Sequence, residues 1–135
     1  MKSYKTKIPA YRLAKTQSDL QKVKITCSRD AADYARQFFA DDIEIYESVF
    51  ILLLNRANNT IGWAKISQGG ISGSVIDVKI ILKYAVESLA SSAILVHNHP
   101  SGEIRPSDAD IRVTERIKKA MKMIDTTLIE HIILT

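Results

Sequence analysis

Cysteine is nearly absent from this 135-residue chain: Cys27 stands alone, so no internal disulfide can form and no thiolate cluster of the zinc-finger type exists. No apolar run approaches the roughly 18 residues that a bilayer-spanning helix needs, and no charged-then-apolar leader is present. These absences set the expectation of a cytoplasmic protein without a membrane partner. Internal repeats, low-complexity tracts and Pro/Gly/Ser-rich linkers are also lacking, with three prolines and five glycines in all, so one domain is expected. What is present is 46% hydrophobic and 25% charged residues, the proportions of a soluble globular chain. A chain this long buries roughly two-thirds of its unfolded surface and needs no disulfides to hold a core.

The formal charge of +4 is unevenly placed. Residues 1–29 carry eight Lys and Arg (Lys2, Lys5, Lys7, Arg12, Lys15, Lys22, Lys24, Arg29) against Asp19, a net +7, which leaves −3 for the remainder. The reading is a basic arm over residues 1–17 and a mildly acidic domain over 18–135. An anionic partner would meet the arm, and weak, non-specific nucleic-acid binding through it would depend steeply on salt.

Ser28 with Asp30 in the first turn predicts a helix near 29–40 with Ala31, Tyr34, Ala35, Phe38 and Phe39 on one face. Val49 to Leu54 is an unbroken apolar run, Asn55 to Asn59 is turn chemistry, and Thr60 to Ser67 is β-compatible with Ile61 and Trp63 on one face. This is a hairpin whose first strand is buried on both sides. Gly69, Gly70 and Gly73 mark a loop. Asp77 caps a helix whose apolar positions are Val78, Ile81, Leu82, Ala85, Val86 and Leu89. Ala93 to Val96 is a buried strand, and His97 to Pro106 a polar loop. Ser107 opens a helix carrying Ile111, Ile117, Met121 and Ile124, and Leu128 to Leu134 closes as a strand. The order α-β-β-α-β-α-β predicts an α/β fold, a mixed sheet flanked by helices.

His97 and His99, two apart at a strand end, leave the same face and can converge on one point, while Asn98 faces away. Ser107 and Asp110 lie one turn apart at a helix start. Two imidazoles and a carboxylate make a three-ligand zinc site with a fourth position for water, the catalytic arrangement. Zinc there lowers the pKa of water toward about 7. Such a site also needs a base and an oxyanion donor; Ser107 is a candidate donor, and the base must come from elsewhere. A plainer reading of Ser107-x-x-Asp110 is a capping box with Asp in place of Glu.

The spacing His97-x-His99, seven residues, Ser107, two residues, Asp110 resembles the JAMM motif of the MPN-plus (JAB) zinc hydrolases. The fuller string from His97 to Gly102, with Pro106-Ser107 and Asp110, resembles the RadC family within that superfamily. Glu47 ahead of Phe50 to Asn55, the Gly69-Gly70 loop, and Glu130 to Leu134 fall in the same order, so the likeness spans roughly residues 18–134. The resemblance implies a single MPN (JAB)-like domain, layered as in cytidine deaminases. It also implies one zinc per chain on His97, His99 and Asp110, Ser107 as oxyanion donor and Glu47 as general acid/base. The substrate class it implies is a protein or peptide, cut at an amide or isopeptide bond. Glu103, in the metal loop itself, is the local rival to Glu47, and His131 is read as structural. A DNA-repair accessory role is the alternative that the RadC label suggests, although no helix-hairpin-helix module is seen.

Overall fold

The computed structural model describes residues 1–4, 7–12, 14–70 and 75–135; Lys5 of the arm and Gly73 of the glycine loop lie outside these. Seven elements follow in the predicted order, with one extra short turn of helix: α1 (Ser28–Ala35), a 3-10 turn (Arg36–Phe38), β1 (Ser48–Leu54), β2 (Thr60–Gln68), α2 (Val78–Glu87), β3 (Ser92–Asn98), α3 (Asp108–Lys122) and β4 (Thr127–Leu134). The strands form one mixed sheet in the order β2-β1-β3-β4; β1 is antiparallel to both neighbours, and β4 runs parallel to β3 across the α3 crossover.

Every residue of β1 is buried, as its unbroken apolar run requires of a strand covered on both faces. Alternate residues serve two cores. Phe50, Leu52, Leu54, Ile94 and Val96 pack beneath α1 with Ala31, Ala35, Phe38 and Phe39, while Ile51, Leu53, Ala93 and Leu95 pack beneath α2 and α3 with Ile81, Ala85, Ile117 and Met121. The result is a helix layer on each side of the sheet. Truncating one of these fully buried Leu or Ile side chains to Ala costs about 2–5 kcal/mol.

Several expectations need correction. The first helix ends at Ala35, and its N-cap is Cys27, which offers no side-chain cap bond. Ser28 instead donates to Glu130 Oε1 at 2.7 Å, and Asp30 turns back to accept from the Thr26 amide at 3.0 Å. The tighter 3-10 turn brings Phe38 flat onto Trp63, with ring centres 4.7 Å apart and planes 4° from parallel. Ile61 and Trp63 do not share a face: Leu53 pairs with Gly62 but Leu54 with Thr60, so Ile61 is the extra residue of a bulge and points to the other core. Val86 and Leu89 are 48% and 85% exposed, and Ile111 is 52% exposed, so none of the three joins the core. At about 100° per residue, Val86 and Ile111 fall well off the buried stripes set by Ile81/Ala85 and Ile117/Met121.

Described residues up to Asp19 are exposed, and among the described residues Leu20 and Val23 are the first to pack against the α1 core. Among the described residues no helix is long and apolar enough to cross a membrane.

Candidate metal centre

His97 is the second-last residue of β3 and faces the α2/α3 side of the sheet, in the same register as Val49 of β1. His99 follows the strand, where its amide still pairs with the Leu134 carbonyl at 3.0 Å. The chain then turns: the Gly102 amide donates to the His99 carbonyl at 3.0 Å, and Gly102 takes φ +85°, which a side chain would oppose. This turn carries the start of α3 over the histidine pair, as the placement of Pro and Gly in the loop predicts.

At that helix start the capping box is real. Ser107 Oγ accepts from the Asp110 amide at 3.0 Å, and Asp110 Oδ2 accepts from the Ser107 amide at 2.8 Å. The same Oδ2 lies 3.5 Å from His97 Nε2 and 3.4 Å from His99 Nε2. Capping and facing the histidines are therefore combined on one oxygen rather than divided between two. A carboxylate oxygen has two lone-pair directions, one for the amide and one for a cation.

The two histidine Nε2 atoms are 2.8 Å apart. Their tautomers follow from the partners of their other nitrogens. His99 Nδ1 sits 2.6 Å from the Glu103 carbonyl, which can only accept, so Nδ1 carries the hydrogen and Nε2 a lone pair. Thr114 Oγ1 donates to the Asp110 carbonyl at 2.6 Å, so it must accept from His131 Nδ1 at 2.5 Å. His131 Nε2 is then an acceptor, and takes the hydrogen of His97 Nδ1 at 2.7 Å. His97 Nε2 is left with its lone pair. Burial, followed by the neighbouring His131, lowers the His97 pKa to about 4 despite the opposing pull of Asp110, so the ring is neutral near pH 7. Burial also lowers His131. Burial alone would raise Asp110, but the Ser107 hydrogen bonds and the two histidines outweigh it and hold the carboxylate below its usual range.

Two imidazole nitrogens and an ionised carboxylate oxygen thus converge on one point, a donor set that could hold a cation at its centre. Donor atoms on a tetrahedral zinc lie about 3.3 Å apart, given bonds of about 2.0–2.1 Å. The two contacts of Asp110 match that spacing. The donor atoms of Glu47, His97 and His99 also lie within 4.8 Å of one another, and Glu47 Oε1 is 3.8 Å from His99 Nε2. Both carboxylates can complete a set with the histidines; Asp110 is the closer and is equidistant from the pair, while Glu47 stands farther out.

The structure therefore brings together Glu47, His97, His99 and Asp110, with Ser107 attached through the cap. Glu103 does not join them: its carboxylate accepts from the Arg105 amide at 2.9 Å, within its own loop, and only its backbone carbonyl serves the site. His131, read from the sequence as structural, supports the site between His97 and Thr114, and Thr114 is the residue that sequence reading missed. A third histidine is visible in the sequence, but its partner depends on β3 and β4 being adjacent and in register, His131 beside Leu95.

Comparison with known proteins places the chain in a family. A family model described as "RadC-like JAB domain" matches residues 25–135. The chain is 37% identical over 124 residues to a UPF0758 protein of Flavobacterium johnsoniae, covering 92% of this chain and 53% of that one. A UPF0758 protein of Porphyromonas gingivalis is 38% identical over 128 residues, 95% of this chain and 53% of its own length. One from Neisseria meningitidis serogroup C is 39% identical over 104 residues, 77% and 45%. The chain thus spans about half the length of these curated relatives. With a match over most of its length, it belongs to the RadC-like JAB domain family.

Proposed function

We propose that this domain is a zinc-dependent hydrolase of amide or isopeptide bonds in a protein or peptide. The observation that carries the reading is the convergence of two histidine lone pairs and the Asp110 oxygen, with a second carboxylate, Glu47, just beyond them. In this reading His97, His99 and Asp110 hold the metal. Zinc bound there supplies the positive charge that acidifies a water toward neutrality. Glu47, set back from the ligands, takes the proton of that water at Oε1 and passes it to the leaving nitrogen. Ser107 Oγ is occupied as an acceptor by the helix cap, but its own hydrogen is free to be given to the developing oxyanion.

The test begins with metal content. The purified protein should hold close to one zinc per chain, and His97→Ala and His99→Ala should lose it. Hydrolysis of an amide or isopeptide substrate should stop with chelator, and in the Glu47→Gln variant it should fall by about 10²–10⁴ with zinc retained. Full activity in Glu47→Gln would remove the base assigned here, and a chain without zinc would end the hydrolase reading.

A further inference from the structure

Asn98 lies between the two histidines in sequence, yet it points through the sheet to the opposite side and is fully buried. There its amide makes three bonds to the segment that leads into β1. Asn98 Oδ1 accepts from the Ser48 amide at 2.8 Å; Asn98 Nδ2 donates to the Tyr46 carbonyl at 2.8 Å and to the Ile43 carbonyl at 2.5 Å. Ser48 N–H and Tyr46 C=O are the backbone groups on either side of Glu47. The other edge of Glu47 is held by the hairpin: its amide donates to the Gly70 carbonyl at 3.3 Å, and its carbonyl accepts from Gly69 at 2.8 Å. One acceptor and two donors match one N–H and two carbonyls, a set that asparagine offers and aspartate, serine or alanine does not. The period of two along β3 then couples the faces: the strand that presents His97 and His99 on one side grips the Glu47 segment on the other.

We propose that Asn98 is a positioning residue, its buried side-chain amide bracketing the backbone of Glu47 so that the carboxylate is held against the His97/His99 pair. The inference rests on the reading of Glu47 as the base. It assigns Asn98 no contact with substrate or metal.

The test uses the zinc-loaded chain with Asn98→Ala and, because a buried site can fail to fold when truncated, Asn98→Ser. Three measurements are compared: turnover in the Glu47 and Glu47→Gln backgrounds, zinc affinity by chelator competition, and amide hydrogen exchange. Turnover should fall about 10²-fold in the Glu47 background, through kcat, as expected for a displaced catalytic group. In Glu47→Gln the same substitution should cost less than about threefold, because it acts through a carboxylate already removed. Zinc affinity should stay within about threefold, and exchange should rise at Tyr46 to Ser48 while Ala93 to Val96 stay protected. Additive losses, weaker zinc binding, unchanged exchange at Ser48, or failure of both variants to fold would each overturn the proposal. If the parent chain cleaves no amide, the hydrolase reading fails separately; exchange at Ser48 with zinc affinity retained still decides the clamp, lost protection supporting it and unchanged protection overturning it.

Discussion

Asp110 shows how one side chain serves two purposes that are separable by experiment. Asp110→Asn keeps an oxygen for the Ser107 amide but removes the charge that faces the histidines. Its expected cost to folding is below about 0.5 kcal/mol, while zinc affinity should fall by about 10²-fold or more; Ser107→Ala should do the reverse, losing about 1 kcal/mol of helix cap. Equal zinc affinity in Asp110→Asn and the parent would leave Asp110 as a cap alone. The histidines make a second prediction, for the chelated protein. An unfolded histidine takes up a proton near pH 6.5, but folded His97 resists until about 4, and His131 is also lowered. Between those values the unfolded state binds more protons at His97, so stability is complete above pH 6.5 and drains as pH falls, by up to about 1.4 kcal/mol per pH unit from His97, with His131 acting in the same direction. Melting curves from pH 7 to 4 should show the decline; a level midpoint would contradict it. The convergence of His97 and His99 is legible in the sequence because strand alternation alone aligns them, and the capping box because three-residue spacing is local. The His131–Thr114 support was not, since it joins β4 to α3 through a sheet register that no local pattern encodes.

At the level of elements, hydrophobic periodicity located all seven, and its failures have identifiable causes. The bulge at Ile61 reverses the facing of β2 on either side, which alternation cannot anticipate. The apolar series of α2 runs past the end of the helix: Leu89 continues the spacing, but it stands outside in a left-handed conformation, φ +54°. Its neighbours show why. The Ala90 amide donates to the Ala85 carbonyl at 3.2 Å and the Leu89 amide to the Val86 carbonyl at 3.1 Å, the paired bonds of a Schellman ending, where glycine is the usual residue. Asp125 ends α3 in the same way, with φ +54° and the Thr126 amide bonded to the Met121 carbonyl at 2.9 Å. Leu89 is 85% exposed, so replacing it forfeits almost no burial. Leu89→Gly should relieve about 1 kcal/mol of strain, offset in part by the added freedom of the unfolded chain, for a net gain of about 0.5 kcal/mol. Thermal unfolding should shift upward by about 2 °C. A lower midpoint would mean that Leu89 makes a stabilising contact its exposure does not reveal.

For the whole molecule, the donor groups come from widely separated parts of the chain. His97 belongs to the end of β3 and His99 follows it directly, Asp110 lies in the first turn of α3, and Glu47 in the segment entering β1. A cation at their centre would fasten the crossover helix to the sheet and hold the His99 to Ser107 loop between them. Without it, two imidazole lone pairs and a carboxylate face one another across 2.8–3.5 Å, which is repulsive. Metal binding is therefore expected to add folding stability as well as chemistry. At free zinc about 100-fold above the dissociation constant the gain is about 2.7 kcal/mol, provided the unfolded chain binds little, and the midpoint should rise by about 10 °C. The rise should vanish in His97→Ala and His99→Ala. It should persist in full in Leu89→Gly, whose own effect lies at the far end of α2 and should simply add. Amide exchange gives the spatial form of the same prediction: zinc should protect the His99 to Ser107 loop and the first turn of α3 most, and the buried strands β1 and β3 least, because those are already held by the two cores. A uniform slowing across the chain would mean that the ion acts only on global unfolding. No change in the midpoint would mean that the four side chains meet without forming a site.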